Sequence, residues 1–226
     1  MITVDELKTL YIKDLSTIDS THNNQIKNTH PEYWNFQPYY RTTPINLNDA
    51  LQNDVDVWIW SDTHFNHKRI IEYSSRPFED LHHMNNELIK AHNDVVKPND
   101  IVIWGGDIGF GSIKHLNFFL NRCNGYKIHI VGNHDMTRKG RLFLLDVDER
   151  HPCMLINVSI DQRELQLLIT HYPLSTVPDN CISIHGHTHT KNVDPWNINI
   201  SVEQTGYAPI HLNSVIQQTK QYFNIT

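Results

Sequence analysis

Five times along this chain a short run with strand character ends in a compact cluster of imidazole, carboxylate and carboxamide side chains. Val55 to Trp60 leads into Asp62-Thr63-His64, and Ile101 to Trp104 into Gly106-Asp107. Ile128 to Val131 leads into Gly132-Asn133-His134-Asp135, Glu164 to Thr170 into His171, and Cys181 to Ile184 into Gly186-His187-Thr188-His189. Runs of this length bounded by loops read as buried strands. Their repeated pairing with polar motifs calls for an α/β protein in which strand ends converge, because loops from neighbouring strands meet there while the sheet holds their bases rigid.

The remaining pattern fits the same class. Met154 to Ile160 and Ile198 to Val202 are two further strands, and the polar turn Asp161-Gln162-Arg163 predicts a β-hairpin between 154–160 and 164–170. Helices are expected over Glu79 to Val96, after Pro77, and over Ile113 to Arg122, with Ser112 as N-cap and Gly125 near the stop. Ahead of these, Leu7, Leu10, Tyr11, Leu15 and Ile18 recur at helical spacing behind Thr3 and Glu6 in a capping-box arrangement, predicting a helix over residues 2–19. Residues 20–54 show neither period and carry the aromatic cluster Tyr33, Trp34, Phe36, Tyr39 and Tyr40. The chain therefore divides into an N-terminal helical and irregular extension, 1–54, packed on a main domain, 55–226.

Composition narrows the function classes. With 226 residues, 39% of them hydrophobic, the chain can bury a substantial core without disulfides. Cys123, Cys153 and Cys181 are widely spaced with no C-x-x-C, which argues against a thiolate zinc site. No run approaches a membrane span and the first residues lack a signal-peptide pattern, so a cytoplasmic protein is expected. A net charge of -6 repels a nucleic-acid backbone, which disfavours long duplex substrates but not a small nucleotide.

The five motifs supply Asp62, His64, Asp107, Asn133, His171, His187 and His189, with His134 beside Asp135, and no sulfur. Imidazole and oxygen donors suit Mn²⁺, Fe, Ni²⁺, Co²⁺ or Zn²⁺ and suit Ca²⁺ poorly. These donors exceed one ion's needs. Two ions about 3.5–4 Å apart would use them and would clamp the attacking and leaving oxygens of a phosphoryl transfer.

In that order, D-x-H, G-D, G-N-H-D, H and G-H-x-H resemble the calcineurin-like metallophosphoesterases over residues 57 to about 212. The wording Ser61 to His67, Arg76-Pro77-Phe78 and His171-Tyr172-Pro173 is similar to the short bacterial and phage-borne members. The resemblance implies a four-layer α/β/β/α sandwich with two facing mixed sheets. It implies a first ion on Asp62, His64 and His189, a bridging Asp107, and a second ion on Asn133, His171 and His187, with Mn²⁺ the foremost metal. It further implies hydrolysis of a phosphodiester or phosphomonoester, nucleotide-like in size, by in-line attack of a metal-bridging hydroxide. His134 would act on the phosphoryl oxygens or as general acid, and Asp135, standing where many members have Glu, would orient it. His67 either faces the incoming phosphate or caps the following helix, and Arg76 is a second candidate substrate contact. Two other functions use the same scaffold: a nuclease acting on DNA or RNA ends, which needs a basic groove, and a binding module without turnover.

Overall fold

Alternation within the apolar runs decides how they stack. The computed structural model describes residues 11–13, 39–40, 55–137, 140–191 and 193–225. The strands are β1 (Tyr11–Lys13), β2 (Tyr39–Tyr40), β3 (Val57–Trp60), β4 (Ile101–Trp104), β5 (Tyr126–Ile130), β6 (Glu149–His151), β7 (Met154–Ile160), β8 (Arg163–Ile169), β9 (Cys181–His185), β10 (Asn197–Asn199) and β11 (Ile210–His211). The helices are α1 (Lys68–Tyr73), α2 (Leu81–Val95), α3 (Ile113–Leu120), α4 (Val202–Thr205) and α5 (Leu212–Tyr222).

The strands form two mixed sheets, one ordered β11-β3-β4-β5-β6-β2 and the other β1-β7-β8-β9-β10. In the first, β3 to β6 run parallel between two antiparallel edges. In the second, β8, β9 and β10 are parallel and β7 is antiparallel to β8. Val57, Ile59, Ile101, Ile103, Ile128 and Ile130, every second residue of β3 to β5, share one buried cluster with Ile156, Leu167, Ile182 and Ile184 of the second sheet. Residues of the opposite parity, Trp60, Val102 and Trp104, join Met84 and Leu88 of α2 and Leu116 and Leu120 of α3. Ser112 caps α3 by accepting from His115 N–H, as its position predicts. The β7–β8 hairpin turns through Asp161 and Gln162 at φ 47° and 65°, the pair of positive values that a tight turn between twisted strands requires.

The expected helix over residues 2–19 needs correction, because Tyr11–Lys13 is a strand, antiparallel to β7 with Tyr11 opposite Asn157. Tyr and Ile suit a strand, and β7 otherwise presents an unpaired edge. Tyr39–Tyr40 pairs in the same manner with β6. The other expectations for residues 1–54, including the roles of Tyr33, Trp34 and Phe36, lie outside the described residues. No helix among the described residues is long and apolar enough to cross a membrane.

His92 of α2 packs against the rings of Trp60 and Trp104, which also touch each other, at centroid distances of 5.1 and 5.5 Å, and its Nε2–H donates to the Asn124 carbonyl at 3.0 Å. Burial pushes its pKa down to about 4 from 6.5. Between these values the unfolded chain binds the extra proton, so stability is complete above pH 6.5 and falls as the pH drops towards 4, by roughly 3 kcal/mol from this group. Denaturant titrations at pH 7.5, 6, 5 and 4.5 should show this slope, and His92→Phe should flatten it by the equivalent of one proton. An unchanged slope in the variant would assign the acid sensitivity elsewhere.

Candidate metal centre

The ligand motifs occupy the carboxyl ends of β3, β4 and β5 in one sheet and of β8 and β9 in the other, so the two sheets bring their loops to a common edge. Adjacent loops are stitched by backbone hydrogen bonds. Asp62 N–H donates to the Gly106 carbonyl at 3.0 Å, His64 N–H to the Asp107 carbonyl at 3.1 Å, and Gly186 N–H to the His171 carbonyl at 3.0 Å. Asp62, His64, Asp107, His187 and His189 all have φ between 48° and 64°. Asp and His are among the side chains that tolerate this left-handed region best, but each still costs on the order of 1–3 kcal/mol. Five strained residues at one spot identify a place where side-chain aim outweighs backbone comfort.

Two groups of donor atoms result, each with all members within 4.8 Å of one another: Asp62, His64 and His189, and Asp107, His171 and His187. Asp107 stands between them, its Oδ2 3.7 Å from His64 Nε2 and 3.3 Å from His171 Nε2. Asn133 Oδ1 lies 3.0 Å from His171 Nε2 and completes the second group. The seven residues that the motifs nominate as ligands therefore lie together, with Asp107 between the two groups.

Hydrogen bonds at the rear of the rings set their tautomers. His171 Nδ1–H donates to the Gly105 carbonyl at 2.9 Å and His189 Nδ1–H to Glu203 Oε1 at 3.0 Å, so when either ring gives up its second proton to bind a metal, the proton it keeps is on Nδ1 and the Nε2 lone pair faces the carboxylates. Asp62 is aimed by Ser201 Oγ–H at 3.0 Å and by His187 N–H at 2.9 Å. Gly132 and Gly186 cradle the two carboxylates so closely that a Cβ at either would collide with Asp107 or Asp62.

These residues fit a pair of divalent cations. Both ring nitrogens of His64 are buried without a hydrogen-bond partner, an arrangement that leaves Nε2 free to ligate. Burial, then the Arg76 guanidinium, pushes its pKa well down, which keeps the ring neutral as a ligand must be. His187 is lowered to about 4 by burial and by His171. Burial alone would lower His171, but Asp107 and then Asp62 raise it to about 10, so the second group draws positive charge to itself.

Two expected roles are corrected. Arg76 is 4% exposed, and its guanidinium bonds the carbonyls of Asp62 and Thr63 and the carboxylate of Glu203, so it does not face substrate. Asp135 does not orient the His134 ring. Its carboxylate accepts from the N–H groups of Asp107, Ile108 and Gly132 and from His129 Nε2, at 2.8–3.0 Å. Burial raises the Asp135 pKa, but His129 and these donors outweigh it and hold the carboxyl far below its usual range. His134 itself is exposed at the rim, its ring 5.5 Å from His64 and 4.7 Å from Phe110. His67 makes no side-chain cap to α1; its ring stacks on Phe110 at 4.0 Å, beside His64 at 5.4 Å.

Glu203, Ser201 and His129 were not expected at the site. Glu203 and Ser201 follow β10 with no motif to mark them, whereas His129 carries a faint signal, a polar residue inside the apolar alternation of β5.

No protein-family model matches the chain. It is 32% identical over 173 residues to an uncharacterized protein of Methanocaldococcus jannaschii, MJ1445, a match spanning 71% of this chain and 89% of that protein. It is 27% identical over 164 residues to the gene 66 protein of Mycobacterium phage D29, over 60% of this chain and 79% of the phage protein. A crystal structure of the protein of unknown function AQ665 from Aquifex aeolicus superposes with a TM-score of 0.52 at 22% identity, covering 72% of this chain and 98% of that one, a likeness of fold. By the extent and identity of the first of these matches, the chain belongs to the family of the M. jannaschii protein MJ1445.

Proposed function

We propose that the protein is a dinuclear metal-dependent phosphoesterase of the calcineurin-like type, hydrolysing a small, nucleotide-like phosphodiester or phosphomonoester in the cytoplasm. The observation that carries this reading is the pair of ligand groups meeting at Asp107. Two divalent ions, Mn²⁺ foremost, would supply the positive charge that activates water and stabilises the phosphoryl oxygens. The four-layer α/β/β/α arrangement of that superfamily belongs to the same proposal.

The chain's own residues divide the remaining work. Asp62, His64 and His189 would hold the first ion, and Asn133, His171 and His187 the second, with Asp107 available to both. His134 is pinned through its backbone, whose N–H donates to Asp107 Oδ1 at 2.7 Å, while its ring stays exposed. That placement suits delivery of a proton to a departing alkoxide, an assistance of ~10²–10⁴ in rate. His67, propped against Phe110 beside His64, is the nearer candidate to contact the incoming phosphate.

Hydrolysis of bis-p-nitrophenyl phosphate and p-nitrophenyl phosphate by chelator-stripped protein, with and without added Mn²⁺, tests the reaction class. His134→Ala should keep both ions yet lose about 10²-fold or more on an alkyl ester, with little loss on p-nitrophenyl esters, whose leaving group departs without a proton. Equal activity of His134→Ala and wild type on the alkyl ester would remove the acid role. Bound metal without turnover of any ester would favour a binding protein.

A further inference from the structure

Arginine is almost never fully buried unless every donor is met. The Arg76 side chain is 0% exposed, and its donors join two distant parts of the first ligand group. Nη2–H donates to the Asp62 carbonyl at 2.7 Å and Nη1–H to the Thr63 carbonyl at 2.8 Å, fixing the loop that carries Asp62 and His64. Nε and Nη2 meet Glu203 Oε1 at 2.9 and 2.8 Å, and that same oxygen accepts from His189 Nδ1 at 3.0 Å. All three members of the first group thus depend on one ion pair that lies behind the ligand atoms.

The pair is not explained by stability. A buried ion pair contributes no more than well-packed apolar residues of similar volume, and often less. Glu203 Oε2 is in addition buried with no hydrogen-bond partner, a carboxylate oxygen desolvated without return. What the carboxylate does achieve is to keep the proton of His189 on Nδ1 and leave Nε2 facing Asp62, 3.9 Å from Oδ1. The second group is supported differently, His171 by the Gly105 carbonyl and the Asp107 loop by Asp135.

We infer that Arg76 and Glu203 are positioning residues for the first ion alone: they set the affinity of the Asp62–His64–His189 site and leave the site on Asn133, His171 and His187 to its own supports. The inference rests on the two-ion reading above. It makes the two metal sites separable by changes that touch neither ion.

The test is Mn²⁺ binding to the full chain, followed by calorimetry, elemental analysis and electron paramagnetic resonance. Wild type should bind two Mn²⁺ and give the spectrum of an exchange-coupled pair. Arg76→Met/Glu203→Leu, which removes both charges together, should bind the first-site ion roughly 10–100-fold more weakly and show isolated Mn²⁺ at one ion per chain. The ion that remains should be lost on adding His171→Ala and kept on adding His189→Ala. Glu203→Gln, which retains an acceptor for His189 and demands the least of folding, should restore the coupled spectrum with only a few-fold loss at the first site. Two ions bound by the double variant with wild-type affinity and coupling would overturn the inference while leaving the two-ion reading intact, as would equal weakening of both sites in Glu203→Gln. Failure of wild type to bind a second Mn²⁺ would overturn the two-ion reading and the inference with it.

Discussion

Asp107→Asn is expected to abolish the dinuclear centre, taking bound Mn²⁺ from two per chain to one or none and lowering hydrolysis by about 10³-fold or more. Asp107 is the acid placed between the two groups, with Oδ2 within 3.7 Å of His64 Nε2 and 3.3 Å of His171 Nε2, while Oδ1 accepts from His134 N–H. An amide removes the negative charge shared by both sites, and whichever way it turns, it places an N–H where an acceptor is needed. The backbone of the loop is held independently, by Asp107 N–H on Asp135, so the substitution should leave the fold in place. In the metal-free protein the Asp107 charge acts both ways: burial chiefly, and Asp107 in part, raises the Asp62 pKa, a repulsion, while, against burial, Asp107 also raises that of His171, an attraction across 3.3 Å. The decisive comparison is therefore the gain on adding metal: wild type should melt at a higher temperature with Mn²⁺ than without it, and the variant should gain little or nothing. Retention of two ions by the variant would remove Asp107 from the bridging position.

That expectation was readable from the sequence because the ligand motifs are local. Each sits within a few residues of a strand end, and the order of strands in parallel sheets puts strand ends side by side. Strand periodicity gave β3, β4, β5, β7, β8, β9 and β10, a preceding proline marked α2, and the Ser112 cap marked α3. Elements too short to show a period were not predicted, β6 and β11 at three and two residues and α1 and α4 at six and four, and neither was α5, whose eleven residues carry buried Leu212, Val215, Ile216 and Thr219 on one face and were long enough to be read. The N-terminal stretch shows the opposite failure, a clean helical spacing across Tyr11–Lys13 overridden by a sheet edge that offers hydrogen bonds.

The site divides along the same line. The residues proposed to face the ions could be found from donor type and spacing. Residues that act from behind could not, because their partners are distant in sequence: Arg76 and Glu203 are separated by 127 positions, Asp62 and Ser201 by 139. A loop arginine next to a metal motif reads naturally as a phosphate contact, and only burial distinguishes it from a support. Asp135 illustrates the subtler case. Its position after Asn133-His134 suggested an interaction with its neighbour's ring, but a short turn at Asn133–Asp135 points the carboxylate inward to backbone donors instead.

The second large effect follows from that inward turn. Asp135→Ala should cost on the order of 4 kcal/mol or more, because it strands the N–H groups of Asp107, Ile108 and Gly132 and the Nε2 donor of His129 in a site that is 1% exposed. Each buried donor left without a partner costs about 1–3 kcal/mol, and the sum is a large part of a typical domain's 5–15 kcal/mol. Asp135→Asn keeps one acceptor oxygen but turns an N–H towards other N–H groups, so a smaller loss, about 2–3 kcal/mol, is expected in a protein that still folds. The comparison that decides the role is with His134→Ala. If Asp135 served the His134 ring, both variants would lose turnover and neither would lose stability. Because Asp135 instead ties the β4 and β5 loops together, denaturant titration should find His134→Ala within about 0.5 kcal/mol of wild type, as for other exposed substitutions, and Asp135→Asn well below it. Weakened Mn²⁺ binding should accompany the loss, since the two loops joined by Asp135 carry Asp107 and Asn133. An Asp135→Asn protein as stable as wild type but impaired in turnover would return the residue to the role its sequence position suggested.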